Sequence, residues 1–344
     1  MLAVFDGHND ALTCDDHARL ADGRSGGHLD LPRMRAGGVR GAIFAVFAPS
    51  EDDDDDTAVK RDDGVLEYSL SPPVPHPQAA AFATSAAGRL AALERAGEVR
   101  IARGIADLDA ARDGDGAGPP VAILHLEGAE AIDRELESLE HWYAAGLRSL
   151  GPVWSRSNAF GHGVPFVFPS SPDTGPGLTD AGGALVRRCA QLGIAVDLSH
   201  LNEAGFWDVA RADLGPLIAS HSGVHAMCGA SRNLTDAQLD AIGASDGLVG
   251  IVYACTFLRP DFASDADTPL ELIAQHARYV ADRIGVEHVA LGSDFDGTKI
   301  PARLGDVAGV PRVLDALREA GFGHRELTAI AWDNWRRVLD AWWH

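Results

Sequence analysis

Histidines and carboxylates recur in this sequence directly after short apolar runs. His8 and Asp10 follow the first such run, and in an extended segment residues two apart project to the same side. One cation could therefore bind both side chains. Glu127 ends a later run, and His200 and His221 follow two more. Each position alone is a weak signal, because a single histidine at a strand end is more often a structural hydrogen-bonding residue.

Taken together, these positions predict a metal centre. Charged and imidazole groups buried at one rim cost several kcal/mol each unless they are paired or bound to metal. Three histidines and two or three carboxylates, Asp294 being the third, exceed the three protein ligands usual for one catalytic zinc ion. The count favours two ions with a carboxylate between them. Two such ions lower the pKa of a shared water and polarise a carbonyl, as amide or ester hydrolysis requires.

The elements that must position these residues alternate as in chains built from βα units. The predicted strands are Leu2–Phe5, Ala42–Phe47, Val121–Leu126, Leu147–Leu150, Ile194–Leu198, Leu217–Ser220, Leu248–Val252 and His288–Leu291. The predicted helices include Gln78–Ala96, Thr179–Leu192, Thr235–Ile242, Pro269–Ile284 and Pro311–Ala320. This order predicts an α/β fold, a (β/α)8 TIM-type barrel with surface insertions, as a single domain over 1–344. Active sites of such barrels lie at the C-terminal ends of the strands, where the candidate ligands fall.

An open doubly wound sheet is the alternative fold, but no phosphate-binding glycine turn follows the first predicted strand. Two stretches interrupt the alternation. Residues Glu51 to Asp63 include five consecutive aspartates, and they lack the glycine and terminal glutamate of a calcium loop. We expect a solvated surface insertion there. The stretch Gly161 to Gly177 is rich in Gly, Pro and Ser, and after the fourth strand of a barrel it would cover the catalytic face.

Composition argues against several classes of function. The net charge of −21 disfavours a nucleic-acid partner, which requires a basic face, and also disfavours binding to anionic membrane lipids. No secretory signal and no membrane span is recognisable in the sequence. The four cysteines are scattered, which argues against a disulfide framework. We therefore expect a cytoplasmic protein.

The ordered motifs of this chain resemble those of the membrane dipeptidase (renal dipeptidase) family. They are Asp6–Asp10, Glu127–Gly128, Asp197–His200, Ser220–Ser222, Ser231–Asn233 and Gly292–Gly297. The resemblance implies a barrel that binds two zinc ions (Zn2+), although manganese, cobalt or iron also suit such ligands. It implies that His8 and Asp10 bind the first ion, that His200 and His221 bind the second, and that Glu127 bridges them.

The resemblance also implies a substrate and two further roles. Asp294 matches the acid that contacts the bridging water or hydroxide and transfers its proton, and Arg232 matches the residue that contacts the substrate's carboxylate. Family members often accept a D-residue at the C-terminal position, so dipeptides of that kind are expected substrates. We also expect a homodimer. The tryptophans near the C-terminus should form a packed helix, with a dimer interface as one reason for its aromatic character.

The resemblance breaks at one position. The family usually has a histidine after the fourth strand that helps to bind substrate and oxyanion, and here Trp154 occupies that position. Indole donates one hydrogen bond and cannot titrate. Arg156, Asn158 or His162 could take over the role, and we keep Trp154 and Asn158 as candidate substrate-binding residues.

Two other functions remain open at this point. The chain could be a different two-metal amidohydrolase, acting on N-acyl amino acids, lactones or a biosynthetic peptide-like substrate. Many such enzymes use a carboxylated lysine as the bridge, but the only lysines, Lys60 and Lys299, do not end a middle strand. It could also be a non-catalytic binding barrel, against which the complete ligand set argues.

Overall fold

A computed structural model of the chain describes residues 2–50, 58–114, 116 and 118–343. The strands in this part of the chain are β1 (Val4–Asn9), β2 (Val39–Phe47), β3 (Ala58–Lys60), β4 (Leu66–Tyr68), β5 (Arg100–Ile101), β6 (Val121–Glu127), β7 (Leu147–Gly151), β8 (Val167–Phe168), β9 (Ala195–Val196), β10 (Ile218–Ser222), β11 (Leu248–Ile251) and β12 (Val289–Leu291). The run of five aspartates falls outside the described residues.

The helices lie mostly between the strands. They are α1 (Leu31–Gly37), α2 (His76–Arg95), α3 (Ile105–Asp113), α4 (Glu137–Ala145), α5 (Asp180–Leu192), α6 (Glu203–Ala212), α7 (Asp236–Ala244), α8 (Cys255–Leu258), α9 (Glu271–Ile284), α10 (Val310–Glu319), α11 (His324–Thr328) and α12 (Asn334–Trp342), with 3-10 turns at His17–Arg19, Val286–His288 and Val307–Gly309 and a π-helical turn at Ala329–Asp333. None of the helices in the described ranges is both long enough and apolar enough to cross a membrane.

Local signals explain where two helices begin. The Thr179 hydroxyl accepts the Gly182 N–H at the start of α5, and Thr235 forms a reciprocal capping box with Gln238 at the start of α7. Both helices begin one residue after the cap. Helix α9 starts later than its predicted start at Pro269, because the preceding residues form turns instead.

Eight of the strands form a parallel barrel. The order β1-β2-β6-β7-β9 is continuous, and β10-β11-β12 forms a second run. Parallel bridges between Asp197 and Ile218 and between Asn9 and Phe295 connect the two runs at both seams. The predicted (β/α)8 barrel is therefore confirmed, and the carboxyl ends of all eight strands meet at one rim.

The tryptophan-rich C-terminal segment packs inside the molecule. Trp332 and Trp335 are buried, and their rings each lie 5.6 Å from the ring of Phe5 in β1. The Trp335 indole N–H also donates to the backbone oxygen of Leu291 in β12. Aromatic packing of this kind contributes about 0.5–1.5 kcal/mol per pair beyond the area that it buries. These rings hold the last helix against the barrel.

A small antiparallel sheet that the sequence pattern does not predict lies over the barrel rim. Strands β3 and β4 form a hairpin, and β4 pairs with β8, which lies inside the stretch 161–177. Tyr68 and Phe168 pack on Phe262, with ring centroids 5.6 and 5.2 Å away. Residues 60–63 of the predicted insertion are exposed, as expected of a solvated segment, but the chain that follows it covers the rim.

Candidate metal centre and substrate pocket

The five predicted metal ligands converge at the carboxyl ends of the barrel strands. The Nε2 atoms of His8, His200 and His221 lie 3.5, 3.0 and 3.4 Å from the Oε1 atom of Glu127. The Oδ2 atom of Asp10 lies 3.6 Å from the Nε2 atom of His8. All five side chains are buried. The predicted ligands therefore form one cluster with Glu127 at its centre.

Unusual backbone geometry turns two of these strand ends toward the cluster. His200 has a φ of 69° and Asp294 a φ of 61°, in the left-handed region that residues other than glycine seldom adopt. Such conformations persist where the surrounding structure enforces them, and they concentrate at functional sites. Gly297 lies beside the same cluster, where a Cβ atom would approach the Asp10 and Asp294 carboxylates to 2.3 and 2.5 Å. A glycine is therefore needed for both carboxylates to lie there.

The first and last barrel strands meet at the metal cluster. The Asp294 N–H donates to the His8 carbonyl oxygen over 3.0 Å, and the Asp10 N–H donates to the Phe295 carbonyl oxygen over 2.8 Å. The Ser293 hydroxyl donates to the buried carboxylate of Asp6. These bonds close the barrel and place Asp294 next to His8 and Asp10.

Protonation states in the cluster favour cation binding. Burial, together with the nearby Arg232 guanidinium, lowers the pKa of His200 to about 4. Burial and the charge of His8 lower the pKa of His221 well below its usual value. Burial opposes ionisation of Glu127, but His8, His200 and His221 outweigh it and hold its pKa well below the usual range. Neutral His200 and His221 beside an ionised Glu127 are in the state that binds a metal ion. Burial opposes protonation of His8, but the Glu127 and Asp10 carboxylates raise its pKa well above the usual value, so an ion bound there would displace a proton.

Two serines fix which imidazole nitrogens face the centre. The Ser220 hydroxyl donates to the Asp197 carboxylate, so its oxygen is left to accept the Nδ1–H of His221 over 2.8 Å. The Nε2 atom of His221 then carries a lone pair toward Glu127. Ser155 lies 2.8 Å from the Nδ1 atom of His200 and can fix that ring in the same way. Partners of this kind orient a metal ligand and raise its basicity.

The unsatisfied polar atoms show that a cation fits the cluster. The Nε2 atoms of His200 and His221 lie 2.9 Å apart, and two unprotonated nitrogens cannot bond each other. Within the described ranges, both ring nitrogens of His8 and the Oδ1 atom of Asp10 are buried without a hydrogen-bond partner. Buried polar atoms without partners are costly. The ligand atoms of His8, Glu127 and His221 lie within 4.8 Å of one another, as do those of His8, Asp10 and Asp294.

The Ser220 contact predicts a loss of metal affinity on Ser220→Ala. Without the hydroxyl, the Nδ1–H of His221 has no partner, and the change should weaken metal binding by roughly 10- to 100-fold. Titration of the apoprotein against a competing chelator measures this directly. The control is Ser149→Ala, which removes another buried hydroxyl bonded to a histidine, His125, outside the predicted ligand set. Equal affinity of Ser220→Ala and the wild type would contradict the orienting role.

A pocket of about 250 Å³ opens above the cluster. Its lining includes Asp10, Glu127, His200, His221, Arg232 and Asp294, together with Phe47, Tyr68, Trp154, Phe166, Phe257 and Lys299. The Arg232 guanidinium donates to the Ser222 hydroxyl and to the His221 carbonyl oxygen, each over 2.8 Å. Burial lowers the pKa of Arg232 to about 10, so this side chain still carries its charge at neutral pH. A fixed cation thus faces the same pocket as the metal ligands.

Of the four residues considered in place of the family histidine, only Trp154 lines the pocket. Trp154 lines the pocket, with its ring 5.8 Å from the ring of His200. Asn158 does not line this pocket, and its amide bonds the Pro152 carbonyl oxygen and the Phe160 N–H instead. Arg156 is buried behind the pocket against Glu130. His162 does not line the pocket either, and its ring bonds the Ser157 hydroxyl.

Apart from Trp154, the aromatic residues of the pocket are not among the residues predicted from the sequence. Phe47 is the last residue of β2, a barrel strand that has no polar residue at its end. Its position at a strand end is the sequence signal that could have identified it as a pocket residue. Tyr68 and Phe166 reach the pocket only through the small sheet over the rim. No local pattern distinguishes them from core residues.

Comparisons with known proteins agree with this geometry. Residues 1–342 match the family model described as membrane dipeptidase (peptidase family M19). The chain is 46% identical over 248 residues to an uncharacterized protein in the pqqA 5' region of Klebsiella pneumoniae, covering 72% of this chain and 90% of that protein. The crystal structure of dipeptidase AC, a metallo peptidase of family M19, superposes with a TM-score of 0.91 at 43% identity over 99% of each chain.

A second solved structure carries a ligand. It is a metallo peptidase from Rhodobacter sphaeroides with a bound phosphinate mimic of the dipeptide L-Ala-D-Ala. This chain is 42% identical to it, with a TM-score of 0.91 and coverage of 99% of both chains. The match of the family model over nearly the whole chain and the convergence of the ligand cluster lead to one conclusion. The chain belongs to the membrane dipeptidase family, peptidase family M19, and is a metallo dipeptidase.

Proposed function

We propose that this enzyme hydrolyses dipeptides, including those with a C-terminal D-residue, with two zinc ions bound in the cluster. His8 and Asp10 would hold one ion, His200 and His221 would hold the other, and Glu127 would contribute its carboxylate to both. When bound, two such ions lower the pKa of a water between them and polarise the scissile carbonyl. The observation that carries the proposal is that Arg232 faces the same small pocket as the ligand cluster.

Asp294 is the residue that we propose moves the proton. Burial, reinforced by the carboxylates of Asp10 and Glu127, raises its pKa well above the usual value despite the opposing charge of His8. The Asp294 carboxyl can therefore accept and keep a proton that an exposed aspartate would release. It takes this proton from the attacking water and donates it to the amine that leaves the broken peptide bond.

Arg232 explains the limit to dipeptides. A guanidinium forms strong paired hydrogen bonds with a carboxylate. Because Arg232 is buried, water cannot easily solvate its charge, which favours binding of a substrate carboxylate. A substrate carboxylate that reaches Arg232 must lie one residue beyond the scissile bond, because the pocket of about 250 Å³ is small for a ligand site. The L-Ala-D-Ala mimic bound to the Rhodobacter sphaeroides relative supports a D-residue at that position.

The runner-up substrates are N-acyl amino acids and lactones. Neither lysine occupies a bridging position, since Lys60 lies in β3 and Lys299 follows β12 at the pocket rim. An N-acyl amino acid retains the carboxylate for Arg232 but lacks the free amine of a dipeptide. Assays of the metal-loaded enzyme on L-Ala-D-Ala, N-acetyl-D-Ala and a lactone decide between them. Hydrolysis of N-acetyl-D-Ala without hydrolysis of any dipeptide would refute the proposal.

Replacing Arg232 by Met should produce a loss that depends on the substrate carboxylate. Each lost charge-assisted hydrogen bond is worth about 1.5–3 kcal/mol. At about 1.4 kcal/mol per decade, kcat/KM for L-Ala-D-Ala should fall by roughly one to two decades per bond. L-Ala-D-Ala amide should be a poor substrate of the wild type. On this amide, Arg232→Met should have nearly the same kcat/KM as the wild type.

A matched control for this variant is Arg148→Met. Arg148 is also buried and also donates to backbone carbonyl oxygens, but it does not line the pocket. Arg148→Met should change kcat/KM by the same factor for L-Ala-D-Ala and for its amide. An equal loss of kcat/KM on L-Ala-D-Ala and on its amide in Arg232→Met would show that Arg232 supports the fold and does not bind the substrate.

The homodimer, the cytoplasmic location and the single-domain organisation stay predictions from the sequence.

A further inference from the structure

One side of the substrate pocket is a continuous aromatic surface. It consists of Phe47, Trp154 and Phe166, and we call these three residues the aromatic wall. The Trp154 ring lies 4.9 Å from the ring of Phe47 and 5.6 Å from that of Phe166. All three side chains line the pocket and are partly exposed to it. The wall begins beside His200, whose ring lies 5.8 Å from Trp154.

A buried ion pair holds the wall from behind. The Arg156 guanidinium carbon lies 4.7 Å from the centre of the Phe47 ring and 5.3 Å from that of Trp154. Its nitrogen lies 3.3 Å from the Glu130 carboxylate, and both charged side chains are almost fully buried. A desolvated cation attracts an aromatic face more strongly than an exposed cation does. Phe47 and Trp154 are therefore fixed in place before a substrate arrives.

The order of the strands places Phe47 across the pocket from Arg232, and the Trp154 ring packs on the Phe47 ring. Phe47 ends β2, the second barrel strand, and Trp154 follows β7, the fourth. Arg232 follows β10, the sixth barrel strand, and in an eight-stranded barrel the second and sixth strands lie on opposite sides. A dipeptide whose carboxylate binds Arg232 and whose scissile bond lies over Glu127 therefore directs its N-terminal residue toward these two rings.

We infer that the aromatic wall binds the N-terminal side chain of the substrate and that Trp154 determines the preference for that residue. This inference rests on the proposed dipeptidase function and adds the substrate class: dipeptides with an apolar N-terminal side chain. Apart from the ligand cluster and Asp294, the charged residues that line the pocket are Arg232 and Lys299, which follow the sixth and eighth strands. A charged N-terminal side chain against the wall would lose water without gaining a partner.

The test couples a change in the enzyme to a change in the substrate. The wild type should hydrolyse L-Leu-D-Ala with a kcat/KM at least roughly tenfold above that for Gly-D-Ala, in the range of hydrophobic side-chain discrimination. Trp154→Ala should remove most of that ratio because it should lose more kcat/KM on L-Leu-D-Ala than on Gly-D-Ala, whereas Trp154→Phe should retain part of the ratio. Trp207→Ala removes a half-buried indole that does not line the pocket, so the ratio should stay unchanged.

Three outcomes would overturn the inference. Equal losses on both substrates in Trp154→Ala would mean that the indole does not contact the N-terminal side chain. A change confined to Gly-D-Leu against Gly-D-Ala would assign the wall to the C-terminal residue. Faster hydrolysis of L-Asp-D-Ala or L-Lys-D-Ala than of L-Leu-D-Ala by the wild type would exclude an apolar preference.

A binding experiment separates this inference from the dipeptidase function. If the metal-loaded wild type hydrolyses no dipeptide, the proposed function is refuted. Calorimetric titration with L-Leu-D-Ala and Gly-D-Ala then still reports on the wall. Tighter binding of L-Leu-D-Ala, reduced in Trp154→Ala, would support the inference, and equal affinities would overturn it. Metal content and Tm of each variant should match the wild type.

Discussion

Replacing Glu127 by Gln is expected to abolish hydrolysis and to release metal from the site. The Glu127 carboxylate lies within 3.5 Å of all three histidine nitrogens, and an amide oxygen cannot balance two cations as a carboxylate does. Removing one partner from a buried charge cluster costs about 3–5 kcal/mol. At about 1.4 kcal/mol per decade, metal affinity should fall by roughly two to four decades. Metal analysis after dialysis measures the loss.

A second buried glutamate provides the control for this variant. Glu130 lies three residues further along the chain, is equally buried and pairs with Arg156 rather than with the histidines. Glu130→Gln should lower Tm but keep the metal content of the wild type. Two fully occupied metal positions in Glu127→Gln would exclude the bridging assignment. Metal loss in both variants would show that any buried charge change disrupts the site.

Asp294→Asn is expected to keep the metal content of the wild type and to lose most of the turnover. Asparagine keeps the shape of the side chain but cannot carry the proton between water and leaving amine. General acid–base catalysis contributes roughly two to four decades, so kcat should fall by that amount while KM changes much less. Metal content and kcat are measured on the same preparation.

The alternative for Asp294 is direct metal binding, since its carboxylate lies within 4.8 Å of ligand atoms of His8 and Asp10. In that case Asp294→Asn should lose an ion together with its rate. Intact metal with intact kcat would exclude any catalytic role. Asp296→Asn is the matched control: Asp296 is buried and bonds the Arg24 side chain and the His28 N–H. That variant should lower Tm and keep kcat within about tenfold of the wild type.

The barrel could be predicted because each of its strands is a short apolar run. The bounds were less predictable, and β1 shows the reason. The apolar run ends at Phe5, but the strand continues to Asn9 because Asp6, His8 and Asn9 are buried polar residues with roles at the rim. Hydrophobic periodicity cannot assign such residues to a strand, because polar residues usually mark the end of one.

The ligand cluster was predictable from the sequence, whereas its surroundings were not. Four of the ligands lie in or directly after a strand, and His200 lies in the turn that follows β9, so the fold alone brings the ligands together. Ser155 reaches His200 from a loop, and Phe166 reaches the pocket beside a two-residue strand that pairs with a distant hairpin. These contacts depend on tertiary structure. Strands as short as β3, β4 and β8 carry too few residues for a periodic signal.

The seam between the first and last barrel strands has a consequence for how the protein is made. The bonds that place Asp294 beside His8 depend on residues separated by about 285 positions, as the contact from Ser293 to the His8 carbonyl oxygen shows. At a synthesis rate of about 5–20 residues per second, the ribosome adds that length in roughly 15 to 60 s. During this time the nascent chain carries His8 and Asp10 without their backbone hydrogen bonds to Asp294 and Phe295. Asp294 therefore joins the metal ligands only when the last barrel strand is in place, and a complete site requires the closed barrel.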